Sequence, residues 1–505
     1  MASFRRSLAA AGLLLVAPLP VAAHAIGASF RLPVPLGLYL IAAATAVAAS
    51  FVVSIAVVRP ARSTPSYAVV AIPAGLSRLA SLGLQVLGLA WFGWALWAAF
   101  VVGDISEVPG VLFWVVLWVG VPIIAAVLGN PWPSLSPFRT LFGLLERGAQ
   151  LIGLDRLDLG LRYPTRLSRW PAVVLLFAAI WGELVLPAAT EASTVGILLV
   201  GYTLLTLLGM FAFGKVAWLR NAELFEVLFA WLGHVGPIGR RTIDAEVCDG
   251  CEEACDPQRC VDCPECAVAA EPGERRAELR PWFVGLTETR PSGWSDVAFI
   301  VLALSGVTFD GLHETVIWGT FLNVLFPPVG AVVGFYWASI VIGTLGILAV
   351  WMAFVAAFSL AAWLTRVTST RAELPRFGAL AGGYAATLLP IAGGYLIAHY
   401  LTLFIQGLAW IPELIGNPIA PVAPPLDWIP ISLVWYLSVG AIVLGHVAAI
   451  VLSHRLALRD APGRPVLAGL PLVLLMIGYT VLSLWIIAQP ITLEPSSAAS
   501  ALLIH

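Results

Sequence analysis

The sequence predicts an all-α protein, a polytopic transmembrane helical bundle of about ten helices that follows an N-terminal signal peptide. Three observations carry this. Of 505 residues, 60% are hydrophobic and 11% are charged, whereas a soluble domain is about a quarter charged. Apolar stretches of about twenty residues recur from end to end, each long enough to cross a hydrocarbon core of about 30 Å. Short segments of alternating polarity, the mark of a membrane β-barrel, do not occur. The spans must therefore satisfy their own backbone hydrogen bonds as helices.

In chain order, residues 1–23 read as the signal peptide. Arg5 and Arg6 precede the apolar run Leu8–Leu19, and the small residues Val21, Ala22 and Ala23 follow, which is the charged, apolar and cleavage-site order of such peptides. Cleavage after Ala23 makes His24 the new N-terminus; cleavage after Ala25 fits equally well, and an uncleaved first helix is the alternative. Residues 24–215 hold the first five spans, near 36–58, 79–101, 110–129, 171–189 and 195–215. Residues 216–294 form a polar segment with an apolar start. Residues 295–505 hold five more spans, near 295–311, 331–360, 377–404, 429–453 and 465–488.

Charge orients the bundle. Loops 59–78, 130–170, 216–294, 364–376 and 455–464 contain nearly all the basic residues, among them Arg59, Arg139, Arg169, Arg240, Arg366 and Arg459. The alternate loops contain Asp104, Glu107, Glu191, Glu413, Asp427 and Glu494, with Arg31 as their sole basic residue. The positive-inside rule places the basic loops in the cytoplasm of a bacterium, the bundle in its cytoplasmic (inner) membrane and both mature termini outside. Loop 130–170 is expected to lie along the headgroups. In segment 216–294, the spacing of Trp218, Leu219, Leu224, Phe225, Leu228, Phe229, Trp231 and Leu232 predicts an amphipathic helix at the interface. The net charge of −2 gives no basis for a nucleic-acid partner. The lipid bilayer is the expected surrounding, with a second membrane or cytoplasmic subunit as a candidate partner.

All six cysteines fall in one cytoplasmic window: Cys248, Cys251, Cys255, Cys260, Cys263 and Cys266. Disulfides rarely persist in that compartment, so thiolate–metal chemistry is the expectation. The pairs Cys248/Cys251 and Cys263/Cys266 have the Cys-x-x-Cys spacing of a tetrahedral Zn²⁺ site. Cys255 and Cys260 leave open a two-metal site or an iron–sulfur cluster held by four of the six.

Ionisable residues at membrane depth are costly and mark functional sites. Glu183 and Asp310 lie deep in their spans. His313 and Glu314 follow Asp310 at i+3 and i+4, on one helical face, and His399 lies near the outer end of its span. The five are expected to converge on a pocket open to the external side, where carboxylates and imidazoles can hold a second divalent metal and activate water, or bind a transported cation or proton. His446 lies deep in its span and His454 at the cytoplasmic boundary. Eight residues separate them, about 12 Å along a helix, too far to share one small ion.

Several stretches, taken in order, resemble the bacterial multi-pass membrane protein family known as fenitrothion hydrolase. They are His24-Ala-Ile-Gly, Leu32-Pro-Val-Pro, Asn130-Pro-Trp, Leu279-Arg-Pro, Val284-Gly-Leu, Ser305-Gly-Val-Thr-Phe-Asp-Gly311, Ala398-His-Tyr400, Gly445-His446 and Ser453-His454. The six-cysteine window is not part of that pattern. The resemblance implies a membrane hydrolase of organophosphorus triesters and nominates Asp310, His399, His446 and His454 without assigning them roles. The expectation is therefore a multi-pass membrane protein with a cytoplasmic cysteine-bound metal and metal-dependent hydrolysis in the bundle. An ion or small-molecule transporter, or a membrane subunit of an iron–sulfur redox complex, is the alternative.

Overall fold

The computed structural model describes residues 35–59, 67–242, 247, 261–263, 266, 270–271, 274–287, 293–369, 374–419 and 428–492. The signal-peptide region, with His24, lies outside them, as do Cys248, Cys251, Cys255 and Cys260. The chain is an all-α bundle, and among the described residues ten helices are long and apolar enough to cross a membrane. They are α1 (Leu36–Val57), α2 (Ala74–Val102), α3 (Val108–Val127), α6 (Ala192–Phe213), α9 (Trp294–His313), α10 (Val316–Val333), α11 (Phe335–Thr368), α12 (Phe377–Ala386) and α13 (Leu389–Gly416) together, α14 (Ile431–Asp460) and α15 (Pro465–Thr492). Between them lie α4 (Pro137–Leu151), α5 (Trp170–Leu184), α7 (Lys215–Asn221) and α8 (Leu224–Gly233).

These ten differ from the sequence-based set in two places. The fourth expected span, 171–189, is the 15-residue α5, about 22 Å long. The stretch beyond Asp310 holds α10, a helix the hydropathy reading did not separate. Trp318 at the start of α10 lies against Gly346 of α11, and Phe326 and Gly330 further along lie against Phe335. α10 therefore runs antiparallel to the first third of α11, around Gly334 at φ +90°, a conformation natural to glycine. Phe309 of α9 also meets Trp318 and Gly346, while Trp294 at the other end of α9 packs on Phe377, which also lies beneath Arg366. End to end, α9 and α10 thus accompany the whole 34-residue α11 as one crossing, broken at Glu314–Thr315.

The described residues of the five basic loops gather at one end of the bundle. A three-stranded antiparallel sheet, order β1-β3-β2, joins β1 (Ala68–Ala71) to β3 (Arg275–Leu279) and β3 to β2 (Ile238–Thr242). Arg139 pairs with Glu226 at 2.7 Å and Arg169 with Asp296 at 2.6 Å, and Ser369 donates to the Asp460 carbonyl. At the other end, the Asp104 carboxylate accepts from the Ser193 amide at 2.7 Å and Ser106 donates to the Pro418 carbonyl at 3.0 Å.

The apolar residues 218–232 form two helices instead of one interfacial helix, because Glu223 caps a second start by accepting from the Phe225 and Glu226 amides. Nearly every residue of α8 is buried, so it is a core helix and not a one-faced surface element. Loop 130–170, expected to lie along the headgroups, contains the amphipathic α4: Ser136 caps it, and Phe138, Phe142 and Ala149 are buried. Two stretches that carried the resemblance act as joints. The Asn130 carbonyl accepts from Arg240 at 2.8 Å, and the buried Arg280 reaches the Gly233 and Gly236 carbonyls and the Asp262 carboxylate.

Candidate functional site

Near the middle of α3 and of α13, five side chains from four helices meet. Trp118 Nε1 donates to Glu183 Oε2 at 2.8 Å. The Tyr400 hydroxyl stands between the carboxyls, 2.5 Å from Asp310 Oδ2 and 3.1 Å from Glu183 Oε1. His399 Nε2 lies 2.8 Å from the same Asp310 oxygen. Short helices bring the carboxyls here. Glu183 is the penultimate residue of α5, and Asp310 lies one turn before the end of α9, so both approach the centre from the basic end and stop there. Trp118 sits in a π-helical stretch, Val111–Gly120, a widened register common at functional sites.

Donor counting constrains the proton inventory. A phenol has one hydrogen and here faces two carboxyls. If Tyr400 donates to Asp310, the contact with Glu183 is a hydrogen bond only when Glu183 is the donor, that is, when it carries a proton. The mirror assignment protonates Asp310 instead. With two-centre hydrogen bonds, either assignment gives the cluster a proton in addition to that of Tyr400.

Of the residues nominated from sequence, Glu183, Asp310 and His399 come together. His313 and Glu314 are exposed at the break between α9 and α10, and the His313 ring lies 6.2 Å from Phe309 and from Trp318. His446 is elsewhere: Gly445 packs on the Pro390 carbonyl, nine residues before His399. His454 is buried against Phe51 of α1. Trp118 and Tyr400 escaped the sequence reading. Tyr400 had one signal, its place in Ala398-His-Tyr400; Trp118 had none, since aromatic residues fill every span. Among the described residues, no three His, Cys, Asp or Glu side chains gather closely enough to hold a metal ion.

Of the cysteines, Cys263 and Cys266 are described and both are buried. The two residues before Cys263 are pinned to the sheet edge. Val261 bridges Arg241, the Asp262 amide donates to the Arg240 carbonyl at 2.7 Å, and the Asp262 carboxylate accepts from the Arg240 amide and from Arg280. Asp262 has φ +56°, a left-handed conformation that Asp tolerates better than most residues.

A second buried polar group lies beside α8. The Tyr202 hydroxyl donates to Glu223 at 2.5 Å. Burial pushes the Glu223 carboxyl up to about 7, a rise the Tyr202 hydrogen bond opposes and the Glu226 charge reinforces. A carboxyl raised on folding holds its proton more tightly when folded. Its contribution to stability is full below the ordinary carboxylate range and is lost as pH rises through about 7. Glu223→Gln is expected to flatten that decline, read as detergent-solubilised melting temperature against pH from about 4 to about 8.

Compared with protein-family models, curated proteins and solved structures, the chain matches none.

Proposed function

We propose that the chain is a proton-coupled membrane transporter and that Glu183, Tyr400, Asp310 and His399 form its proton site. The single observation that carries this reading is Tyr400 between two carboxyls at mid-bundle, an arrangement that two-centre hydrogen bonds satisfy only with an extra proton. The broken α9–α10 crossing supports it, because discontinuous helices build the binding sites of many transporters. Buried carboxyls with imidazole neighbours are the usual parts of membrane proton relays. A hydrolytic metal would need an open coordination position, whereas three carboxylate oxygens here already face Trp118, Tyr400 and His399. Hydrolysis of organophosphorus triesters rests on the family resemblance alone. It becomes the better reading if the purified protein hydrolyses a triester and loses that activity in Asp310→Asn.

The grouping of basic loops at one end supports the bacterial cytoplasmic membrane as location, with those loops in the cytoplasm and both mature termini outside. The cysteine segment is then cytoplasmic, and Zn²⁺ is its proposed metal, with an iron–sulfur cluster as alternative. The buried Cys263 and Cys266, close after the Asp262 that is tied to the sheet edge, suit one half of a thiolate site. Metal analysis and the visible spectrum of the purified chain separate the two.

The test of the transport reading uses liposomes containing the protein, a trapped pH dye, and a potassium gradient with valinomycin. Proton entry above that of protein-free liposomes is the expected result. Equal entry, together with no infrared signature of a protonated carboxyl, would overturn the proposal.

A further inference from the structure

The proton cluster lies halfway through the bundle, and a second set of polar atoms lies between it and the basic end. His446 Nδ1 is 2.8 Å from the Ile442 carbonyl. A carbonyl only accepts, so Nδ1 carries the hydrogen and Nε2 presents a bare lone pair. That lone pair is buried without a partner, and so are the Tyr395 hydroxyl, Ser453 Oγ and His454 Nδ1. The four residues are 0%, 0%, 0% and 1% exposed in the order Tyr395, His446, Ser453, His454. One orphan of this kind is a tolerable cost; four on two adjoining helices, α13 and α14, call for an explanation. Buried water with two to four polar partners is the usual one.

The seam has a direction. Helices α13 and α14 run antiparallel in close contact, with Ser438 donating to the Ala398 carbonyl, Gly394 on the Ala441 carbonyl and Gly445 on the Pro390 carbonyl. Only small residues permit that approach. Tyr395 therefore lies just below the cluster; its ring stacks on His399 at 5.9 Å, and its hydroxyl abuts Gly311, the neighbour of Asp310. His446 follows at the level of Pro390, and Ser453 and His454 come two turns later, before Arg455 and Arg459 at the basic end.

We infer that Tyr395, His446, Ser453 and His454 line a buried, hydrated proton path joining the Asp310 cluster to the basic end of the bundle, with His446 Nε2 as its proton-accepting station. This rests on the cluster being a proton site. In each transfer, Nε2 takes the excess proton of a protonated water on one side, forming an imidazolium and leaving neutral water, and then gives that proton to a water on the other side. Nδ1 keeps its hydrogen, and no other bond changes.

The test is hydrogen–deuterium exchange at the cluster carboxyl, followed by its infrared carbonyl band in the full-length detergent-purified protein after transfer to D₂O. His446→Leu is expected to slow the exchange by about a hundredfold, the low end of what one positioned proton-transfer group contributes. Tyr395→Phe, which deletes a single hydroxyl and keeps the ring, is expected to slow it in the same direction. Should His446→Leu fail to fold, Tyr395→Phe decides alone. Unchanged exchange with the band present overturns the path and leaves the proton site standing, and a higher melting temperature for His446→Leu would then identify the seam as dry. Absence of any band that Glu183→Gln removes overturns the proton site, and the path with it.

Discussion

Glu183→Gln is expected to reduce proton entry into liposomes to the protein-free level while leaving the melting temperature nearly unchanged. The amide has the shape of the carboxyl. Its oxygen can still accept from Trp118 Nε1, and its NH₂ can still donate to the Tyr400 oxygen, so both contacts that Glu183 makes at 2.8 and 3.1 Å persist. What the amide cannot do is take up and release a proton. A structural carboxyl would show the reverse pattern: Gln would conduct like the parent, because packing and hydrogen bonds are retained. Parent-level conduction in this variant would therefore remove Glu183 from the transport reading. Loss of conduction accompanied by a large fall in stability would leave the cause undivided, so the melting curve belongs to the same experiment.

The carboxyls of this site were legible in the sequence and its geometry was not. An ionisable residue inside an apolar span stands out because burying charge is costly, and that rule picks out Glu183, Asp310 and His399 without any structure. It also picks out His313 and Glu314. Helical periodicity placed them on the face of Asp310, but α9 ends at His313, so the face does not continue. Trp118 and Tyr400 carry no comparable signal, since an aromatic residue in a membrane span satisfies lipid, core and hydrogen bond alike. Only the convergence of α3, α5, α9 and α13 tells which role each plays.

The fold shows the same division. Spans and loop charges were readable because hydropathy and the basic-residue bias are local properties. The break between α9 and α10 was not, because both halves are apolar and Thr315 caps the second by accepting from the Trp318 amide, a signal weaker than the hydropathy around it. The sheet was invisible for another reason. Its strands have four or five residues, lie far apart in sequence and include Arg240, Arg241, Arg275 and Arg276, with no alternation of apolar side chains to mark them. Segment 216–232 misled in the opposite direction: its periodicity is helical, but Glu223 splits it.

The joint between Arg169 and Asp296 carries the largest expected effect on stability. Arg169 closes the loop before α5, and Asp296 lies in the first turn of α9, where a carboxylate also complements the helix N-terminus. The Asp296 side chain is wholly buried, that of Arg169 is 20% exposed, and the pair is 2.6 Å apart. Arg169 also stands over the Trp231 ring, and Ser168 meets Ser295 at 2.9 Å. Removing the cation takes the ion-pair partner from a fully buried carboxylate, so Arg169→Ala is expected to cost about 3–5 kcal/mol of unfolding free energy. The double variant Arg169→Met/Asp296→Leu removes both charges and is expected to recover most of that loss, since an apolar pair of similar volume often substitutes for a buried ion pair. Denaturant unfolding of the parent, Arg169→Ala and the double variant in detergent measures both effects, and a loss below about 1 kcal/mol for Arg169→Ala would mean that the pair is solvated. The double variant also bears on function. α5 and α9 deliver Glu183 and Asp310, so this joint sets their axial register. If the charges serve only stability, the compensated protein conducts protons like the parent. If the ion pair sets the register, conduction falls although stability returns.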